Sequence, residues 1–249
     1  MKNRLLLLVS FLLLLSSESF AQQTDADFQR LVYRNENSFG FQFHTLGWGG
    51  QFRRLYSKDG FKRHGYLMEW VTMKHPKEVK VYHPFYENAR GYVFGKQNGL
   101  STFRLGYGAE KLVIGKTDRG SVGINVVGYG GLSLGILKPV YLEIIRQVEG
   151  QDTYYLSTEQ YDPAEHFVDN IFGRAPFFNG IDELKLNPGA FAKLGVNFEY
   201  GVLEEKITMI EVGIALDFFP MQPQIMAANS NPNLFATLYL SMNFGKRWN

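Results

Sequence analysis

The sequence predicts an all-β protein: a transmembrane, antiparallel, up-and-down β-barrel of about eight strands, with long loops on the extracellular side. Three observations predict it. Several segments of about ten residues alternate between apolar and other positions. The less apolar positions are mostly small, Gly, Ser and Asn, with a few charges of both signs. The connections are short and long in the order that a barrel with both ends on one side requires.

The alternation is clearest late in the chain. Ala190, Ala192, Leu194, Val196, Phe198 and Tyr200 form one face; Lys193, Gly195, Asn197 and Glu199 fall on the other, which also carries Phe191. Ile210, Val212, Ile214, Leu216 and Phe218 oppose Glu211, Gly213, Ala215 and Asp217. Leu234, Ala236, Leu238, Leu240, Met242 and Phe244 oppose Thr237, Tyr239, Ser241 and Asn243. Earlier, Phe39, Phe41 and Phe43 alternate with Ser38, Gly40, Gln42 and His44. Tyr66, Met68 and Trp70 oppose Glu69, and Phe103, Leu105 and Tyr107 oppose Arg104 and Gly106. Val122, Ile124, Val126, Leu132, Leu134 and Ile136 share a face against Gly123, Asn125, Tyr129 and Ser133. A period of two over such lengths means strands with two unlike faces.

A soluble barrel with an apolar interior would alternate too. Its second face would meet water and carry a dense cover of Lys, Glu and Thr. Small polar residues with a few charges suit a cramped barrel interior instead, while a purely aliphatic and aromatic face suits lipid. Strands of about ten residues match a tilted crossing of the hydrocarbon layer. Tyr200, Phe218 and Phe244 fall at strand ends, where interfacial aromatics belong.

The strands read as residues 37–44, 50–57, 61–74, 91–108, 120–145, 189–201, 206–218 and 233–245. Short turns are expected at 57–60, 108–111 and 202–205, and long segments at 75–90, 146–188 and 219–232. Residues 45–50 read as the first hairpin; the alternative is a bulge in one long strand, with 112–116 supplying the missing crossing. The 146–188 loop is too long to be structureless, and residues 163–172 and 178–186 each read as a short helix.

The chain begins with Lys2 and Arg4, an apolar run over residues 5–15 and a small, polar close ending at Ala21. This is the layout of a secretory leader, residues 1–21, cut near Ala21. Its apolar run is too short for a spanning helix, which needs about 20 residues. The remainder, 22–249, is expected to be the barrel, with 22–36 a periplasmic lead-in. Cysteine is absent, so rigidity must come from packing or sheet closure. The formal net charge is +2, and losing Lys2, Arg4 and Glu18 lowers it by one, which argues against a nucleic-acid binder. The 26 glycines and 15% aromatic residues favour strands over helices.

The exported layout, the alternating strands and the terminal run Leu238-Tyr239-Leu240-Ser241-Met242-Asn243-Phe244 resemble the outer-membrane β-barrel proteins of diderm bacteria. The resemblance implies an outer-membrane location, contact with outer-membrane lipid, and insertion by the barrel-assembly machinery. It also implies that Tyr239, Phe244 and Trp248 belong to the assembly signal. Gly245-Lys246-Arg247-Trp248-Asn249 departs from the commonest form, which stops on the aromatic, and is similar to barrels of the Bacteroidetes group.

For chemistry, the inward charges are Glu69, Arg104, Lys193, Glu199, Glu211 and Asp217, joined by His44. Mixed signs on neighbouring strands point to an ion-pair plug; a hydrolytic or lipid-modifying site using His44 and a carboxylate is the rival. His64, His75, His83 and His166 show no metal-ligand spacing and read as free loop histidines, so no metal or cofactor is expected. Tyr154, Tyr155 and Tyr161 sit in the long loop and read either as a contact surface or as packing over the barrel mouth. The leading expectation is a non-enzymatic structural or accessory barrel that binds a membrane-protein partner through its loops. A lipid-modifying enzyme and a small-solute pore are the alternatives.

Overall fold

The computed structural model describes residues 33–57, 61–83, 85–86, 88–116, 121–148, 150–200, 205–227 and 229–249. The expected leader, residues 22–32 of the lead-in, and the tips of the turns at 58–60 and 201–204 lie outside the described residues.

Eight long strands close into an antiparallel barrel: β1 (Asn35–His44), β2 (Gly47–Ser57), β3 (Lys62–Met73), β6 (Asn98–Ile114), β7 (Gly123–Pro139), β11 (Lys185–Tyr200), β12 (Lys206–Phe218) and β13 (Leu234–Trp248). Each pairs with the next in the chain, and β1 pairs with β13 from Asn35↔Trp248 to His44↔Tyr239, which removes every edge from the wall. Two small sheets are appended. β4 (Lys80–Val81) pairs with β5 (Tyr92–Val93), and β8 (Tyr141–Gln147) lies between β9 (Tyr154–Gln160) and β10 (Ile171–Arg174). The described residues form no helix.

The connections sort by end. The strand order puts the short links β2–β3, β6–β7 and β11–β12 at the end where β1 starts and β13 stops. Residues 74–97, 140–184 and 219–233 crowd the opposite end, with the two-residue turn Thr45–Leu46. The hairpin at 45–50 is therefore a true reversal. No crossing is left for 112–116 to supply.

Four expectations are corrected. Residues 108–111 do not turn: β6 continues to Ile114, because Ala109, Glu110 and Lys111 pair with His64, Arg63 and Lys62 on one side and with β7 on the other. Residues 91–97 do not belong to that strand; Tyr92 and Val93 pair with β4, and Gly95 turns the chain at φ +79°, a conformation favoured by glycine. The strand expected over 120–145 is two, with β7 ending at Pro139 and β8 leaving the wall. The helices expected at 163–172 and 178–186 are turns followed by β10 and β11. In the first, side chains take the backbone groups a helix would use: Asp162 Oδ1 accepts the Ala164 N–H, and Asn170 Oδ1 accepts the Phe167 N–H. The β10 pairing then binds Ile171 to Ile144.

The faces separate as the alternation predicts. From Phe39 to Phe43, Trp48 to Phe52, Tyr66 to Trp70, Phe103 to Tyr107, Val126 to Ile136, Leu186 to Tyr200, Ile210 to Phe218 and Leu234 to Phe244, no outward position is charged. Many of these side chains are freely exposed, Leu132 by 72% and Phe41 by 68%. Charges return at the rims, with Arg54, Lys62, Lys111, Lys206 and Lys246 at one end and Lys138 at the other.

Candidate functional site

The interior is filled rather than hollow. At the long-segment end, Val71, Met73, Leu100, Leu137, Phe219, Ile225, Met226 and Phe235 form an apolar cluster across the mouth. The 219–233 segment is held there by Asn231, whose Oδ1 accepts the N–H groups of Ile225 and Met226. A second apolar group, Leu55, Leu67, Val127, Tyr129 and Phe191, lies further along the wall. Gly106 makes room for it: a Cβ there would stand 2.6 Å from Phe191 Cζ.

A continuous chain of charges runs between and beyond these clusters. Arg104 donates to both Asp217 oxygens, at 2.8 and 2.6 Å, and to Glu69 at 2.8 Å. Glu69 also takes Lys193, which donates to Gln42 at 3.0 Å and Gln51 at 2.8 Å and lies 3.4 Å from Glu211. Glu211 accepts from Arg53 at 2.6 Å and from the Tyr239 phenol at 2.8 Å. Arg53 then reaches Glu110 at 2.8 Å, which accepts from Tyr129 at the same distance. Arg63, 3.8 Å from Glu110, donates to Glu36 at 2.6 Å. Arg247 joins Glu36 to Glu199, and Lys116 meets Glu199 at 3.0 Å. Among the described residues, six cations meet six carboxylates along this path. Arg53, Arg104, Lys193, Glu69, Glu110 and Glu211 are essentially inaccessible to solvent. Charges this deep persist only when paired, and a strand wall presenting alternate inward positions is what places them opposite one another.

Of the predicted inward residues, the structure brings Glu69, Arg104, Lys193, Glu211 and Asp217 into direct contact. Glu199 belongs to the far part of the chain, with Arg247 and Lys116. His44 is near this network but not hydrogen-bonded into it: its Nδ1 accepts the Leu46 N–H at 3.3 Å, and Glu69 and Arg104 are within electrostatic reach without a hydrogen bond to it. Sequence reading missed Arg53, Glu110, Glu36, Arg63, Arg247 and, just past the end of β6, Lys116. Four of these lie where a strand was drawn too short or a turn was drawn instead, or at a strand's first residues. Arg53 sits beside Arg54, so charge alone did not separate their faces; the parity of Gln51 and Leu55 would have.

The terminal residues divide. Tyr239 points inward, with Lys193 Nζ 4.1 Å from its ring centre. Phe244 faces outward opposite Phe39, and Trp248 stacks under the Arg54 guanidinium at 4.4 Å.

The appended sheet holds the long-loop residues. Tyr154 and Tyr155 are exposed on β9. Tyr161 is not: it is 6% exposed, packed with Tyr92, Leu142, Ile144 and Ile171, and burial pushes its phenol up. It supports the sheet from beneath and is no part of an exposed contact surface. His166 is likewise no free loop histidine. It is buried, its Nδ1 accepts the Asp162 N–H at 2.9 Å, and its Nε2 lies 3.1 Å from Glu159. His75 is also buried, with Nε2 3.3 Å from the Ser230 carbonyl. Glu159, Glu165 and His166 are close enough to share a metal ion. Arg146 already occupies their oxygens, at 2.6 Å from Glu159 and 3.4 Å from Glu165, so the cluster has its cation.

No family model and no curated protein matches the sequence. Among solved structures, the chain is similar to Neisserial surface protein A, at 9% identity over 88% of this chain and 98% of that one, with a TM-score of 0.42. It is also similar to Ail, the attachment invasion locus protein of Yersinia pestis, at 7% identity over 88% and 100%, with a TM-score of 0.40. A major outer membrane protein from Thermus thermophilus aligns at 10% identity over 86% and 100%, with a TM-score of 0.44.

Proposed function

We propose that this chain is an integral barrel of a bacterial outer membrane with a structural or accessory role, working through the segments at its long-loop end rather than through its lumen. The observation that carries the reading is the pairing of an uncharged outward belt on all eight strands with a closed, charge-balanced interior. An uncharged belt of this height would be a liability in water and is what a hydrocarbon layer requires. A filled interior disfavours a small-solute pore, since eight strands leave little lumen and here side chains bridge it. The lack of a hydrogen bond between His44 and any described carboxylate disfavours a lipid-modifying enzyme in the lumen.

The exposed Tyr154 and Tyr155 of β9, beside a free strand edge, are the surface through which a partner protein would be met. The test combines location with transport. The protein should fractionate with the outer membrane, migrate differently on a gel before and after boiling, and give no stable single-channel conductance in planar bilayers. Recovery of a folded protein from the culture supernatant would refute the membrane reading; steady conductance would refute the closed lumen.

A further inference from the structure

A cleft of about 430 Å³ lies at the long-segment rim, between the barrel wall and the appended sheet. Its lower lip is formed by Lys74, Gly99 and Lys138. Gly99 pairs with Lys138, and Lys74 follows Met73, the partner of Leu100, so the three sit in one row across β3, β6 and β7. By the two-residue period they continue the outward stripes. Beneath Lys74 come Thr72, Trp70 and Met68, beneath Gly99 come Ser101 and Phe103, and beneath Lys138 come Ile136, Leu134 and Leu132. The lip is thus the first row above the uncharged belt.

The far wall comes from the appended segments. Lys80, Lys96 and Arg174 add three more cations, and Tyr92, Val140 and Tyr141 add apolar and aromatic surface. One carboxylate lines the cleft, Glu78, and both its oxygens are taken: Lys96 binds one at 2.6 Å and the His75 N–H the other at 2.9 Å. Among the described residues no carboxylate pairs with Lys74, Lys138 or Arg174. Lys138 and Arg174 are within electrostatic reach of each other. Lys138 lies 4.8 Å from the Phe177 ring centre, and Phe177 and Phe178 are 68% and 78% exposed at the same edge.

Like charges gathered in a recess, with aromatic side chains at its edge and an uncharged wall below, are suited to an anion tethered to apolar chains. We propose that this cleft binds the phosphorylated sugar headgroup of an outer-leaflet lipid, with its phosphate among Lys74, Lys138 and Arg174 and its acyl chains lying over the belt below. The volume suits a phosphorylated sugar, and basic pockets beside spanning segments select anionic headgroups. A soluble phosphate would satisfy the cations but would leave the exposed Phe177 and Phe178 and the continuity with the belt unused. The inference rests on the membrane reading above.

The test uses the full chain in nonionic detergent, titrated with bisphosphorylated lipid A in mixed micelles, with its dephosphorylated form, and with inorganic phosphate. Combining Lys74→Glu with Lys138→Glu should weaken lipid A binding by at least about tenfold, given the attraction of each basic residue to an anionic lipid. Lys111→Glu, at the opposite rim, should leave it unchanged. Arg174→Gln, which lies off the barrel wall, should weaken binding even if the double variant fails to insert. The dephosphorylated lipid should bind the wild type no better than lipid A binds the double variant. Equal binding of both lipids, or full affinity in the Arg174 variant, would overturn the site. Competition by inorganic phosphate at the same concentration as lipid A would assign the cleft to a soluble anion and overturn the lipid source. Failure of the wild type to insert into vesicles would instead overturn the membrane reading itself.

Discussion

The lumen and the appended sheet use the same chemical pair in opposite settings. In the lumen, Arg104 grips Glu69 and Asp217 with all three side chains fully buried. In the sheet, Arg146 grips Glu159 at the same 2.6 Å that separates Arg104 from Asp217, but the two side chains are 35% and 26% exposed. Distance therefore says little about what a pair is worth. A buried pair is costly to break because the charge left behind has no water to turn to. An exposed pair loses little, since solvent replaces the partner and salt already screens it.

The largest predicted effect breaks the lumen side of this contrast. Arg104→Met leaves Glu69 with only Lys193 and leaves Asp217 unpaired, and should lower stability by about 3–5 kcal/mol, measured by urea unfolding of the folded barrel in detergent. A loss no greater than that of a surface variant would mean that the lumen is wetter than its burial implies. On the outward face, Leu132→Lys should cost about 2–4 kcal/mol in lipid vesicles if that position lies near the bilayer midplane. In detergent micelles, which deform around a charge, the loss should shrink. Equal losses in both media would argue against the belt as a lipid surface.

Between these and the sheet stands packing. Gly106→Val should destabilise by about 1–3 kcal/mol, because its side chain would enter the space held by Phe191. Pairing Gly106→Val with Phe191→Ala should recover part of that loss, and no recovery would show that the Gly130 carbonyl, 2.9 Å from the added Cβ, and not the ring, is the obstacle.

The smallest effects lie in the sheet. Arg146→Ala should leave the barrel's unfolding midpoint unchanged while loosening β9, seen as faster hydrogen exchange across Tyr154–Gln160. The Arg146 guanidinium, with His166 and Ser157 and against some desolvation, holds the Glu159 carboxyl down at about 2, from its ordinary 4.5. A depressed carboxyl stabilises fully above its unfolded value and loses that contribution as pH falls through the folded one. Exchange protection of β9 should therefore hold at pH 6 and fade from about pH 4.5 toward 2, and Arg146→Ala should move that loss upward. A pH-independent exchange rate, once corrected for intrinsic chemistry, would show that the pair does not hold the sheet.

What sequence reading recovered and missed follows from the range of the forces involved. Alternation is local: Phe39, Phe41 and Phe43 declare their face without knowing their neighbours, and so do Leu234 to Phe244. Strand ends are not local. Residues 108–111 looked like a turn because Gly108 is a common turn residue, yet pairing with β3 and β7 extends the strand through them to Ile114. Residues 163–172 looked helical because nothing in that stretch announces β8, the strand that residues 171–174 join.

The sequence by itself determined that the chain makes strands with one lipid-compatible face and one small polar face, and about how many. Those properties depend on side-chain size and polarity at a spacing of two, which the chain carries wherever it folds. Only the tertiary structure decided which charges meet. Asp217 finds Arg104 across 113 positions of sequence, and Arg247 finds Glu36 across 211. Closure of β1 on β13 sets the register of every inward row, and burial makes those meetings obligatory. The eight-stranded wall was written in the alternation; the continuous chain of charges inside it, and the cationic row at its rim, exist only once the strands are in register.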